Sequence, residues 1–124
     1  MNKRPASIDE PVVAININQT FRPGMSTGDL YDYTRGIWRL SRTRAEQAQY
    51  AFAVYRGIIK EVYKIGRWFP AGETKYRERK FDAADLENRY EFIGTVAPDK
   101  IREKYVNRVM PERYYGNPIR YYNC

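Results

Sequence analysis

Between Tyr33 and Arg44 the chain interleaves aromatic rings with guanidinium groups: Tyr33, Arg35, Trp38, Arg39, Arg42 and Arg44. An arginine presents a rigid fork of donors that matches phosphate geometry. A ring face stacks on any base, whatever its sequence. Crowded into so short a stretch around Gly36, the two together supply what a nucleic-acid cleft requires. The same residues also suit a plainer arrangement, with Trp38 in the core and the arginines solvated.

Four further groups carry related chemistry. Tyr55-Arg56-Gly57 joins a ring and a cation at a tight turn, while Trp68, farther along, belongs to another surface and suits core or rim. Asn16 and Asn18 end a hydrophobic run; a side-chain amide both donates and accepts, so it can pair with a base edge or satisfy a strand-end turn. Lys75, Tyr76, Arg77, Arg79 and Lys80, relieved by Glu73 and Glu78, form a basic loop that suits either backbone phosphates or solvent. Asn117, Arg120, Tyr121 and Tyr122 combine amide, guanidinium and rings, or else give a polar edge strand. Arg102, Lys104 and Arg108 add positive charge farther up the chain.

The rest of the composition excludes several mechanisms. There is no histidine among the 124 residues, hence no imidazole base, histidine ligand or histidine pH switch. The single cysteine, Cys124, permits neither an intrachain disulfide nor a cysteine-based zinc site within one chain. No cofactor or metal is expected. With 22 Lys+Arg against 15 Asp+Glu, the formal charge of +7 favours polyanionic partners. No apolar run approaches the roughly 20 residues that cross a bilayer, and Met1-Asn2-Lys3-Arg4-Pro5 is not followed by the apolar stretch of a secretory signal. A cytoplasmic protein without membrane association is the expectation.

These groups must be positioned by a small fold, and the sequence outlines one. Residues 1–10 read as a flexible lead-in to a single domain over 11–124. Val12 to Asn18 reads as a strand apolar on both sides, hence central or doubly covered. Ser26 and Asp29 form a capping box, with Met25 and Leu30 as its hydrophobic staple, and the helix ends at Gly36 as a left-handed C′ residue. Ile37–Leu40 is a short extended piece, and Thr43 with Glu46 opens a second, short helix.

Tyr50–Tyr55 and Ile58–Trp68 pair about Arg56-Gly57. The first places Tyr50, Phe52 and Val54 on one face and Ala51, Ala53 and Tyr55 on the other. Residues 70–87 form a charged loop with one turn of helix near 83–86. Asn88–Val96 is a strand with Tyr90, Phe92 and Val96 on one face. Pro98 opens a helix with an Ile101, Tyr105, Val109 stripe, and a last strand closes the chain. The class is α+β, with a small, curved, mostly antiparallel sheet and flanking helices.

That order of elements, with Thr34-Arg35-Gly36-Ile37-Trp38-Arg39-Leu40 and Ala51-Phe52-Ala53-Val54-Tyr55-Arg56-Gly57-Ile58-Ile59-Lys60-Glu61-Val62-Tyr63, resembles the PUA-like superfamily, with ASCH and EVE-type modules looking closest. The resemblance implies a partly open β-barrel with a cleft beside the first helix. It also implies RNA or DNA binding, with capture of a modified or flipped base in an aromatic pocket as in the EVE and YTH branches. A nuclease or other partner encoded separately would fit such a module.

The leading expectation is therefore a nucleic-acid-binding module more than an enzyme. Its contacts would be drawn from Asn16, Asn18, Tyr33, Arg35, Trp38, Arg39, Arg42, Arg44, Tyr55, Arg56, Lys75, Arg77 and Arg120. Two alternatives stand beside it. One is a small amidohydrolase-like or nucleoside-acting enzyme, needing Asp29, Asp32 or Glu61 beside a lysine such as Lys60 in one cleft. The other is a protein-interaction module with tyrosines on a flat face. Oligomeric state is not encoded in any of these features.

Overall fold

The computed structural model describes residues 4–77, 79–112 and 117–124. Glu78 of the basic loop and residues 1–3 of the lead-in lie outside them. Among the described residues five strands build one open, mixed sheet: β1 (Val12–Asn16), β2 (Tyr50–Tyr55), β3 (Ile58–Pro70), β4 (Tyr90–Val96) and β5 (Ile119–Tyr122), in the order β4-β3-β2-β1-β5. Among the described residues four short helices accompany it: α1 (Thr27–Arg35), α2 (Arg42–Gln47), α3 (Ala83–Leu86) and α4 (Asp99–Tyr105). The class is α+β, as expected.

Three of the four strand pairings are antiparallel. The fourth is not: β1 and β2 run parallel, with Val12 opposite Tyr50 and Asn16 opposite Val54. A parallel pair needs a long crossover, and residues 17–49 supply it by carrying α1 and α2. Between β2 and β3 the chain turns at Arg56-Gly57. Both residues have positive φ, 49° and 76°, the combination that a two-residue hairpin matched to strand twist demands.

Strands covered on both faces read as nearly continuous apolar runs, and β1 and β2 do. On one face Val12, Ala14, Tyr50, Phe52 and Val54 pack with Tyr105 and Met110. On the other, Val13, Ile15, Ala51 and Ala53 pack with Ala45, Ala48, Trp68 and Phe92. The Phe52 and Tyr105 rings lie 4.8 Å apart. Trp68 belongs to the core, its indole N–H donating to the Ala45 carbonyl at 3.0 Å.

Local signals were right where they concerned one turn of chain and less so where tertiary contacts intervene. Ser26 caps α1, accepting from the Asp29 N–H at 3.1 Å. Gly36, however, is extended (φ −177°), not left-handed. A side chain is excluded there for another reason, because a Cβ would sit 2.8 Å from the Glu91 Cβ and overlap the Tyr76 hydroxyl.

The cap of α2 is Ser41, two residues before the expected Thr43. Ile37–Leu40 contributes only the Trp38–Tyr90 bridge. Helix α4 ends at Tyr105, so Val109 is not on its stripe and instead bridges Pro5 and Ile58. In β4, Phe92 is buried but Val96 is exposed. Residues 4–10, expected to be a flexible lead-in, are docked. The Ala6 N–H donates to the Val109 carbonyl at 2.7 Å, and Ile8 packs on the core.

Candidate functional site

Beyond the C-terminal end of β1 the surface opens into a hollow of about 590 Å³, within the range of about 300–1,000 Å³ usual for small-ligand sites. Its floor and walls come from four segments that are remote in sequence. Asn16–Thr20 leave β1, Ile37 and Trp38 follow α1, Arg79 to Arg89 surround α3, and Pro118 precedes β5. Trp38 and Phe81 supply ring surface; Arg79, Arg89, Asp85, Asn16, Asn18 and Gln19 supply polarity.

The donors in the hollow differ in how far they are engaged. The Trp38 indole N–H is held by the Thr34 carbonyl at 2.8 Å. The Asn16 side-chain oxygen accepts the Asn18 N–H at 2.8 Å, and the Asn18 oxygen accepts the Arg56 N–H, also at 2.8 Å. Both amides thus serve the strand-end turn through oxygen and keep their NH2 groups as donors. Arg79 donates to the Asp32 carbonyl at 2.9 Å and to the Gly36 carbonyl, packed among Tyr33, Tyr76 and Phe81 with its guanidinium 4.8, 5.2 and 4.7 Å from their centroids. Burial pushes its pKa down from the ordinary value. Arg89 is different: its Nε is buried and has no hydrogen-bond partner among the described residues.

The wall carrying Arg79 and Phe81 is long and irregular, and a buried polar network pins its start. Glu91, wholly buried in β4, accepts from the Gly72 N–H (2.9 Å), the Thr74 N–H (2.7 Å), the Thr74 hydroxyl and the Tyr76 hydroxyl (3.2 Å). Burial, aided by the adjacent Glu91 carboxylate, pushes the Tyr76 phenol up, so it stays a neutral donor. Arg35, 1% exposed, donates to Asp32 (3.3 Å), the Thr74 hydroxyl (2.6 Å), the Phe92 carbonyl (3.4 Å) and the Lys75 carbonyl, under the Tyr76 ring at 3.7 Å. Asp32 in turn accepts the Arg77 N–H at 3.0 Å.

The chain matches no protein-family model, no curated protein and no solved structure.

Of the residues expected at a site, the fold brings Asn16, Asn18 and Trp38 into the hollow. Tyr33 lies behind it, against Arg79. Arg35 is a buried clamp whose donors are engaged internally, so it offers nothing to a phosphate from this position. Arg39 and Arg56 are exposed near the hollow, one following Trp38 in the chain and the other tied to Asn18 through its backbone.

The remaining expected residues lie elsewhere. Arg42 pairs with Glu46 at 3.5 Å and reaches the Trp68 carbonyl. Arg44 donates to the Cys124 carbonyl at 2.8 Å over the Tyr121 ring. Tyr55 packs against Phe21, ring centroids 4.4 Å apart. Lys75 is exposed on the loop, Arg77 is exposed with its guanidinium laid against Gly28 of α1, and Arg120 pairs with Glu112 at 2.7 Å.

Phe81, Asp85 and Arg89 were not expected. They fall in or beside a segment read as a charged loop, and only the tertiary fold returns that loop to the end of β1. Two of the three carboxylates proposed for lysine-assisted catalysis are occupied elsewhere. Asp32 binds Arg35 and Glu61 binds Arg102 at 2.8 Å, while the Lys60 ammonium lies over the Phe21 ring. Among the described residues no cluster of three carboxylate or thiol side chains gathers to hold a metal, and no helix is long and apolar enough to cross a membrane.

Proposed function

We propose that this chain is a PUA-like nucleic-acid-binding module whose hollow at the end of β1 receives one exposed base. The observation that carries the reading is the conjunction of Trp38 and Phe81 with guanidinium and amide donors around a concavity of about 590 Å³. Rings give a base a face to stack on, and the free amide and guanidinium N–H groups give its edge hydrogen bonds. Arg39 and Arg56, exposed beside the hollow, and Lys75 and Arg77 on the loop would hold flanking phosphates. The overall charge of +7 supports the same partner.

A concave arrangement of rings favours this reading over a flat tyrosine-rich protein interface. RNA and DNA present the same bases and phosphates to such a site, so both belong in the test. Single-stranded oligonucleotides should quench the fluorescence of partly exposed Trp38, while buried Trp68 is shielded. The Trp38→Ala variant should retain only weak, salt-sensitive binding with no base preference. A Trp38→Ala protein that stays folded and binds all oligonucleotides as the parent does would refute the base pocket.

A further inference from the structure

We infer that the hollow selects guanine, with Asp85 and Arg89 as its specificity-determining residues; this rests on the base-binding role proposed above. Three features of the lining lead there. Arg89 is one of the two guanidinium groups lining the hollow, and the fold does not satisfy it fully, since its Nε is buried without a partner among the described residues where buried donors ordinarily have acceptors. Asn16 and Asn18 have engaged their side-chain oxygens in the turn, so they too face outward as donors. Against these donors stands one carboxylate, Asp85, whose Oδ2 receives only a long 3.4 Å bond from the Asp82 N–H.

The carboxylate decides between ligand chemistries. A phosphate placed here would meet a charge of its own sign beside the guanidiniums. A neutral heterocycle would not, provided that it offers donors to Asp85 and acceptors to Arg89. Guanine does both. Its N1–H and exocyclic amine are adjacent donors that a carboxylate accepts as a pair, and its O6 and N7 are the acceptor pair that an arginine fork takes bidentately. Adenine and cytosine each offer one amino group on the pairing edge, and uracil or thymine a single ring N–H.

The test uses the full chain and short single-stranded oligonucleotides, RNA and DNA, carrying one guanine in a pyrimidine background. Matched strands replace it with adenine, hypoxanthine or 7-deazaguanine. Guanine should bind roughly ten- to a hundredfold more tightly than adenine. Hypoxanthine, lacking only the exocyclic amine, should bind the parent more weakly than guanine but Asp85→Asn as well as guanine does. 7-Deazaguanine, lacking N7, should be penalised by the parent but not by Arg89→Met. Because the analogues act on the unaltered protein, the outcome does not depend on whether either variant folds. Equal affinity for all strands, or preference for another base, overturns the guanine assignment and leaves the nucleic-acid reading standing. Failure to bind any strand overturns both.

Discussion

Arg35 and Arg89 carry the same side chain into opposite situations. Around Arg35 each nitrogen has an oxygen to donate to, and the ring of Tyr76 covers one face. Removing it would leave Asp32 and two carbonyls buried without their cation, the configuration that costs most in a protein interior. Arg35→Ala should therefore lower stability by about 3–5 kcal/mol in denaturant unfolding, and Arg35→Lys should recover only part, since an ammonium cannot span the same fork.

A variant with unchanged stability but weakened oligonucleotide binding would place Arg35 in the interface instead. Its sequence context gave no warning of burial. Residue type and neighbours are the same for a phosphate ligand and for a buried clamp, and the deciding partners, Thr74 and the carbonyls of Lys75 and Phe92, come from far along the chain. Trp38, Asn16 and Asn18 do line the hollow, but their types alone left Trp38 open between core and cleft and the amides open between a base edge and the turn that their oxygens serve.

Elements were legible in proportion to how local their causes are. Ser26 and the Arg56-Gly57 turn act within a few residues, and both do what their chemistry requires. The parallel pairing of β1 with β2 was missed because nothing in Val12–Asn16 marks the direction of its neighbour; the crossover sets it. The docking of residues 4–10 was missed for a similar reason, since its partners lie in α4 and beyond it. There Lys104 pairs with Asp9 at 2.9 Å and Glu10 at 3.2 Å, and the Tyr105 hydroxyl donates to Glu10.

This docking has a pH signature. Burial alone would raise the Glu10 pKa, but the Tyr105 hydroxyl and the Lys104 ammonium outweigh it and hold the carboxyl below its ordinary value. A carboxyl depressed in the folded state contributes stability that is complete above the unfolded value of about 4.3. That contribution fades as the pH falls through the folded value. The stability difference between the parent and Glu10→Gln should accordingly be clear at pH ~6 and shrink toward pH ~3, measured by urea unfolding at each pH. A difference that stays constant, or grows in acid, would mean that Glu10 does not anchor the arm as an anion.

At the scale of the whole molecule, the charge of +7 and the hollow make separable contributions to binding. Phosphate contacts release counterions, so the logarithm of affinity falls linearly with the logarithm of salt concentration, by roughly 0.7 per contact on a single strand. Base contacts release none. Arg39 and Arg56 are exposed; Arg56 lies over the Tyr55 ring at 5.2 Å, and neither side chain has a hydrogen bond or ion pair among the described residues, so truncating either should cost the fold little. Each single change, Arg39→Ala or Arg56→Ala, should weaken binding to all strands alike and reduce the salt slope by about 0.7. Trp38→Ala, by contrast, should leave the slope as it was and flatten discrimination between bases. The two kinds of variant then report on two different surfaces of one site. Slopes that do not move in either arginine variant would take those residues out of the interface, and a slope near zero in the parent would remove the electrostatic component altogether.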